Sequence, residues 1–303
     1  MSLPAGPHGG DGARIAALLG RSVADVIDLS ASVNPFAPDV AAVVAAHAGE
    51  VARYPDPSAA TVALAAAIGV DRERIVLTNG GAEAIALVAA ELRSGSVVDP
   101  EFSLYRRHLT EVRADAGRWR SNPSNPLGEL AAATDVAAVW DEAFWPLATG
   151  TWTRGDETAW RLGSLTKLWA CPGLRLGYVV APDVDSARRI VARQPRWAVN
   201  ALALGVVEPL LDETDLPGWA RGVRHLREHL ASALAACGWD VTATDANWVL
   251  VRSARPLRDD LAGQGIVVRD GTSFGLPGTF RVALPRPEQL NDVLAAFAAV
   301  IDP

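Results

Sequence analysis

A strand that runs into a glycine turn and then into a helix is the feature that most constrains this fold. Residues 75–78 read Ile-Val-Leu-Thr, Asn79-Gly80-Gly81 follows, and an alanine-rich helix is predicted from Ala82 to about Leu92. β-Branched apolar runs indicate buried strands, and paired glycines indicate a turn. Further short strands are predicted at residues 97–99, 137–140, 158–162 and 176–180. Short strands separated by helices indicate an α/β domain with a largely parallel sheet.

The pattern changes after Pro209. A long helix is predicted over residues 218–237, and shorter helices over 256–261 and 287–300. Strands are predicted at 239–244, 248–252, 266–269 and 280–284. We therefore predict a large domain over residues 35–212 and a small α+β domain formed by residues 1–34 and 213–303. The chain has 303 residues, half of them hydrophobic, which suffices for two cores.

Composition excludes several classes of protein. The net charge of −7 comes without the basic blocks that bind nucleic acid or anionic lipid. Cys171 and Cys237 have no CxxC spacing, which is typical of a reduced compartment. The first ten residues lack the pattern of a signal peptide, and the apolar runs are too short to span a bilayer. We therefore predict a cytoplasmic protein that binds neither nucleic acid nor membrane.

Polar and aromatic residues follow several of the predicted strands. Ligands of open α/β sheets bind beyond the carboxyl ends of the strands. Gly80-Gly81-Ala82 opens a helix whose free N–H groups suit a phosphate, and Asp141 ends an apolar strand, where it should be partly desolvated and have a cationic partner. The other candidates are Phe102, Asn125, Ser164, Thr166, Lys167 and Arg175. Together they describe a site for an aromatic, phosphorylated cofactor with a cationic ring, held by a lysine imine.

Several motifs occur in the order seen in one enzyme superfamily. They are Asn79-Gly80-Gly81-Ala82, Asn125-Pro126-Leu127-Gly128, Asp141-Glu142-Ala143-Phe144, Ser164-Leu165-Thr166-Lys167 and Pro172-Gly173-Leu174-Arg175. On these motifs the chain resembles the fold-type I pyridoxal phosphate (PLP) enzymes of the class I/II aminotransferase superfamily. The resemblance implies a large domain with a mostly parallel sheet of the seven-stranded type. Because few residues lie between Phe102 and Asp141, we expect that sheet to be reduced.

The resemblance also implies roles at the cofactor. Lys167 would form the Schiff base with PLP and later carry a proton at Cα. Asp141 would pair with the protonated pyridine nitrogen, and Phe102 would stack on the ring. Asn125 would bind the 3-oxygen of the ring. The phosphate group would be held by Gly81, Ala82, Ser164 and Arg175, with Thr166 as a helper.

Further roles concern the substrate and a second subunit. Arg281 matches the arginine that binds the substrate carboxylate, and Arg269 is placed to supply a second cation. His8 and Asn34 would help to orient the substrate. Tyr54 matches a tyrosine that reaches the cofactor phosphate of the neighbouring subunit, which implies a homodimer with shared sites. No metal is expected.

One position departs from the pattern. Many relatives have a tyrosine three residues after the pyridine aspartate, where its hydroxyl binds the 3-oxygen. This chain has Phe144, so Asn125 is expected to bind that oxygen alone. The expected consequence is a higher pKa for the lysine imine, because its deprotonated form loses a stabilising donor.

Two branches of the superfamily fit the motifs. One is threonine-phosphate decarboxylase of cobalamin biosynthesis, which the segments 8–11, 27–35 and 54–57 favour. The other is histidinol-phosphate aminotransferase, and a third alternative is a non-catalytic PLP-binding protein. The segment 225–229 matches the HxxEH pattern of zinc proteases, although a solvated helix face is the preferred interpretation. Gly271-Thr272-Ser273-Phe274-Gly275 matches the pattern of a nucleophile elbow but lacks the helix that should follow it.

Overall fold

The computed structural model describes residues 8–301. The α-helices in that range are α1 (Gly12–Leu18), α2 (Val40–Ala46), α3 (Ser58–Ile68), α4 (Gly80–Leu92), α5 (Ser103–His108), α6 (Trp145–Thr149), α7 (Leu165–Leu168), α8 (Val184–Arg193), α9 (Ala201–Gly205), α10 (Val207–Asp212), α11 (Leu216–Ala236), α12 (Leu257–Gly263) and α13 (Leu290–Ile301). The strands are β1 (Ile27–Asp28), β2 (Ile75–Thr78), β3 (Ser94–Gly95), β4 (Glu111–Val112), β5 (Trp119–Ser121), β6 (Val139–Asp141), β7 (Trp160–Gly163), β8 (Gly177–Val180), β9 (Asp240–Ala243), β10 (Trp248–Arg252), β11 (Ile266–Val267), β12 (Arg269–Asp270) and β13 (Thr279–Ala283). No helix in this range is long and apolar enough to cross a bilayer.

The main sheet has five strands in the order β2-β8-β7-β6-β5. The pairs β5–β6 and β6–β7 are parallel, whereas β8 runs antiparallel to both β2 and β7. Every residue of β2 and β8 is buried, as expected for strands that are covered on both faces. The predicted α/β class is confirmed, and the sheet is mixed because of the single reversed strand.

Two short strands beside the main sheet reflect the expected reduction, and one of them, β4, lies in the segment between Phe102 and Asp141. β3 and β4 have two residues each and form a separate parallel pair. A single bridge between Ser96 and Arg118 connects this pair to the main sheet. The predicted strand at residues 97–99 is wrong, since the chain leaves the sheet after Ser96 and the Val98 side chain is 60% exposed. β-Branched character favours a strand, but residues 97–99 pair with no strand in the described part of the chain.

A second sheet lies in the C-terminal part of the chain. It is antiparallel with the order β12-β13-β10-β9. Leucine and valine side chains of α11, α12 and α13 pack on it and form one buried core. β1 pairs in parallel with β11, so that Ile27 lies opposite Ile266. An N-terminal strand thus lies beside the C-terminal part, while the boundaries at 34/35 and 212/213 stay a prediction.

Two other cores cover the two faces of the main sheet. One contains Leu64, Leu77 and Leu168, and the other contains Ile85, Val88 and Leu162. These clusters leave the carboxyl ends of β2, β5, β6 and β7 facing the same region. The fold therefore gathers the residues that follow these strands in one place.

Candidate active site

A cavity of about 270 Å³ opens at the carboxyl ends of these strands. Most of the predicted site residues line it. These are His8, Gly81, Ala82, Phe102, Asn125, Asp141, Ser164, Thr166, Lys167, Arg175, Arg269 and Arg281. The sequence placed these residues at separate positions, and the fold brings them together around one space.

Lys167 lies in the short helix α7, directly after β7. Its Nζ atom donates a hydrogen bond to the carbonyl oxygen of Ala31. Burial lowers the pKa of Lys167 to about 8, with Arg281 and Arg175 lowering it further and Asp28 opposing the shift. A lysine with a depressed pKa carries a reactive neutral amine near neutral pH, which is what a Schiff-base lysine requires.

Asp141 ends β6 and is 9% exposed. Its Oδ2 accepts a hydrogen bond of 2.8 Å from the Tyr105 hydroxyl, and its Oδ1 accepts one of 3.1 Å from the Ala143 N–H. Burial raises the pKa of Asp141, and these two hydrogen bonds oppose the rise. Within residues 8–301, no side-chain cation forms an ion pair with Asp141. The cationic partner expected from the sequence is therefore not a described residue of this chain.

Tyr105 was missed in the sequence. It lies three residues after Phe102, and the two rings meet edge to face with their centroids 5.8 Å apart. This i, i+3 spacing next to a stacking aromatic was the signal available, because such residues share a helix face. Tyr105 is fully buried, so it supports Phe102 and Asp141 from the protein interior.

The N-terminus of α4 forms an anion cradle with Arg175. Gly80 has a φ of +77°, and a Cβ atom there would lie 2.2 Å from a guanidinium nitrogen of Arg175. The positive φ favours glycine at this position, and the absence of a side chain there lets the Arg175 guanidinium lie directly against the start of α4. The hydroxyls of Ser164 and Thr166 are 2.7 Å apart and line the same cavity. Helix N–H groups, an arginine and two hydroxyls suit a phosphate group.

Arg281 is buried in the wall of the cavity. Its Nη1 donates to Asn125 Oδ1 at 2.7 Å and its Nη2 to the carbonyl oxygen of Ser30 at 3.2 Å, whereas its Nε has no hydrogen-bond partner. It makes no ion pair with an acidic residue in the described part of the chain. Burial and the neighbouring Arg269 lower the pKa of Arg281. A buried guanidinium without a carboxylate partner is costly unless a ligand supplies the anion.

Arg269 and His8 lie at the same end of the cavity. Arg269 is paired directly opposite Arg281 in the β12–β13 ladder, and its Nη2 donates to the Ser273 hydroxyl at 2.6 Å. The His8 ring meets Phe102 edge to face, at 6.0 Å between centroids. Burial lowers the pKa of His8, and the charges of Arg269 and Arg107 lower it further. This end of the cavity is thus electropositive.

Asn34 and Tyr54 do not line the cavity. Asn34 is buried, its Nδ2 donates to the Leu168 carbonyl at 2.9 Å, and its N–H donates to the Lys167 carbonyl at 3.0 Å. Asn34 therefore fixes the backbone around the lysine instead of facing the cavity. Tyr54 is 80% exposed and packs on Trp197, with ring centroids 4.8 Å apart.

The side chains present fit PLP at both of its ends. Asp141 is a buried carboxyl group that pairs with no cationic side chain among residues 8–301, and Lys167 is a buried amine in the same cavity. The anion cradle at the start of α4 completes the set. A cofactor with a basic ring nitrogen, an aldehyde and a phosphate meets each of these requirements.

The HxxEH segment does not resemble a metal centre. His225 and Glu228 form an exposed pair at 4.0 Å on α11. Within the described range, no group of three or more histidine, cysteine, aspartate or glutamate residues is arranged to hold a metal ion.

Several solved structures have folds similar to that of this chain. Histidinol-phosphate aminotransferase from Sinorhizobium meliloti, in complex with PLP, gives a TM-score of 0.79 at 16% identity and covers 99% of this chain and 95% of that one. L-Threonine-O-3-phosphate decarboxylase from Porphyromonas gingivalis gives a TM-score of 0.75 at 22% identity, over 87% of this chain and 95% of that one. Both likenesses support the fold-type I architecture.

Sequence comparisons agree with this assignment. Threonine-phosphate decarboxylase from Salmonella typhimurium is 30% identical over 99% of this chain and 98% of that protein. Histidinol-phosphate aminotransferase 1 from Thiobacillus denitrificans is 29% identical over 92% and 88%. The Salmonella alignment runs over 360 positions, so that relative contains segments which the 303-residue chain lacks. Residues 119–297 match the family described as aminotransferase class I and II. The chain therefore belongs to the class I and II aminotransferase family and is a PLP-dependent enzyme.

Proposed function

We propose that this enzyme decarboxylates L-threonine O-3-phosphate in cobalamin biosynthesis. The observation that carries the proposal is the placement of Arg269 opposite Arg281 in one antiparallel ladder, with both side chains at the same cavity. Like charges opposite each other destabilise a sheet. A substrate with two anionic groups offsets that repulsion. Arg281 then binds the carboxylate, while Arg269 and His8 face the phosphate.

The residues of the chain have distinct roles in this reaction. When bound, PLP supplies an electron sink next to the substrate Cα. Asp141, oriented by the Tyr105 hydroxyl, keeps the ring nitrogen protonated. Lys167 lies in the same cavity with a pKa of about 8, so it can exchange a proton near neutral pH.

The position of Arg281 determines which bond of the substrate Cα is broken. Loss of CO₂ depends on how the substrate carboxylate is held relative to the electron sink that PLP would supply. Arg281 is held by Asn125 and by the Ser30 carbonyl, so it presents its remaining donors from a fixed direction. Once CO₂ has left, Lys167 donates a proton to Cα and completes the formation of aminopropanol phosphate.

Transamination of histidinol phosphate is the second candidate. The 29% identity to the Thiobacillus denitrificans enzyme supports it. The same two arginines would then serve the amino donor and the phosphorylated substrate in turn. In that reaction Lys167 removes the Cα proton, and no CO₂ is lost.

We also propose a homodimer in which Tyr54 enters the site of the neighbouring subunit. Tyr54 and Trp197 are 80% and 58% exposed, although they stack on each other. Exposed paired aromatics are typical of protein interfaces. This supports a surface that a second copy covers.

Paired assays on the purified holoenzyme test the proposal. Incubation with threonine phosphate should release CO₂ and aminopropanol phosphate in equal amounts. Incubation with histidinol phosphate and 2-oxoglutarate should give no glutamate. Glutamate formation without CO₂ would establish the aminotransferase instead, and the absence of both reactions would refute both candidates.

A further inference from the structure

Glu101 is a buried carboxyl group beside the cofactor cavity. It is 8% exposed and precedes Phe102, whose ring lines the cavity. Within residues 8–301 no arginine, lysine or histidine forms an ion pair with it. A carboxylate buried without a cation requires several hydrogen-bond donors.

Three donors converge on this carboxylate. The Phe102 N–H donates to Oε1 at 2.9 Å, and the Ser121 N–H donates to Oε2 at 3.0 Å. The Ser121 hydroxyl also donates to Oε1. Glu101 therefore joins the segment that carries the stacking ring to the end of β5.

The contact continues from Ser121 to Asn125. The Ser121 Oγ accepts a hydrogen bond of 2.7 Å from the Asn125 N–H. Because the Ser121 proton is given to Glu101, the lone pairs of Ser121 point away from it and toward the Asn125 amide. Asn125 in turn accepts from Arg281, so one connected network runs from Glu101 to the arginine in the cavity wall.

We propose that Glu101 is a positioning residue, which holds Phe102 and, through Ser121, Asn125 in the places where they contact the cofactor ring. The proposal rests on the cofactor roles given to Phe102 and Asn125. It does not depend on which reaction the enzyme catalyses. Glu101 itself does not line the cavity, so it acts through its neighbours.

The electrostatics of Glu101 make this role dependent on pH. Burial raises the pKa of Glu101 to about 7, the hydrogen bonds from Ser121 and Phe102 oppose the rise, and Asp141 adds to it. The groups that act on Glu101 are Asp141 on β6 and Tyr105 on α5. Once protonated, Glu101 carries a donor of its own and no longer accepts fully from Ser121. The network should therefore loosen below pH 7.

Cofactor affinity tests the proposal without any substrate. The Kd of PLP for the cofactor-free protein would be measured by absorbance for the wild type and for E101Q. Glutamine presents N–H groups where Ser121 already donates, so one hydrogen bond is lost. At about pH 8.5 the Kd of E101Q should be about tenfold higher than that of the wild type, as for one lost hydrogen bond to a charged group.

The pH comparison provides the sharper readout. At about pH 5.5 the wild-type Glu101 is neutral, as glutamine is, so the ratio of the two Kd values should approach one. Taking the ratio cancels other groups that titrate in both proteins. A ratio that stays the same at both pH values, or an E101Q Kd equal to that of the wild type, would overturn the proposal.

Two further variants separate positioning from stability. E142Q removes another buried carboxyl group with a pKa near 7, one that does not line the cavity. It should change the thermal midpoint without changing the Kd. S121A keeps the hydrogen bond from the Phe102 N–H to Glu101 and removes the hydroxyl that accepts from the Asn125 N–H. It should therefore weaken PLP binding, and it provides a test if E101Q folds poorly. An unchanged Kd for S121A would contradict the proposed path.

Discussion

The Tyr105 hydroxyl donates a 2.8 Å hydrogen bond to Oδ2 of Asp141, and both side chains are buried. This bond ties the helix that follows the stacking Phe102 to the end of β6. It also opposes the rise that burial causes in the pKa of Asp141, so the carboxyl group ionises more readily. Asp141 therefore has an orienting partner even though no cationic side chain of the described residues pairs with it.

Removal of the Tyr105 hydroxyl should impair catalysis. In Y105F the pKa of Asp141 should rise further, because its carboxylate loses a donor. The expected result is a fall in kcat/KM of about tenfold or more, in line with the loss of one hydrogen bond to a charged group. Steady-state kinetics with threonine phosphate would measure it. Y178F, which alters a buried tyrosine on β8 outside the cavity, serves as the control and should retain near wild-type kinetics.

Local patterns were enough to predict most of the fold and most of the residues that line the cavity. The strand at residues 75–78 and the lysine segment carry their own signals in hydrophobicity and spacing. The strand predicted at residues 97–99 is wrong because strand pairing depends on a partner distant in sequence, and here the pairing stops at the bridge to Arg118.

Glu101 and Tyr105 were missed because their contacts also depend on residues distant in sequence. Their partners, Ser121 and Asp141, lie 20 and 36 residues away and meet them only in the folded protein.

Cofactor capture should depend on pH through Lys167. Its pKa is lowered to about 8, so the neutral amine, which is the form that attacks an aldehyde, predominates above that pH. The rate of PLP uptake by the cofactor-free protein should rise with pH up to about 8 and then level off. Stopped-flow absorbance would follow this rate. A rate that keeps rising toward pH 10, where lysine ordinarily titrates, would contradict it.

The same measurement on two variants tests the cause of the shift. R281M removes one of the cations that lower the pKa of Lys167, so the midpoint should move to higher pH. K167A should show no imine absorbance at any pH. A midpoint unchanged in R281M would mean that Arg281 does not contribute to the lowered pKa of Lys167.

The two arginines of the β12–β13 ladder should have separable effects on substrate. R281A removes the carboxylate partner and should lower kcat/KM by roughly 100-fold or more for both threonine phosphate and L-threonine. R269A should lower kcat/KM by roughly 10- to 100-fold for threonine phosphate alone, because L-threonine has no phosphate to bind. R255A alters an exposed arginine that is paired with Asp260, and it should leave both values unchanged. If R269A lowered kcat/KM equally for the two substrates, Arg269 would not be the residue that binds the phosphate.

Mixing of inactive variants tests whether Tyr54 acts across a dimer interface. Y54A and K167A should each be inactive or nearly so, since one loses the contact from the neighbouring subunit and the other loses the lysine. In a mixed dimer both losses fall on the same site if Tyr54 acts on the partner subunit, and the second site is intact. After random exchange of subunits, about a quarter of all sites should therefore be native. Recovery of activity that grows with the mixed-dimer fraction supports the shared site. Mixed dimers that stay inactive would place Tyr54 in the site of its own chain, because each site would then carry one of the two losses.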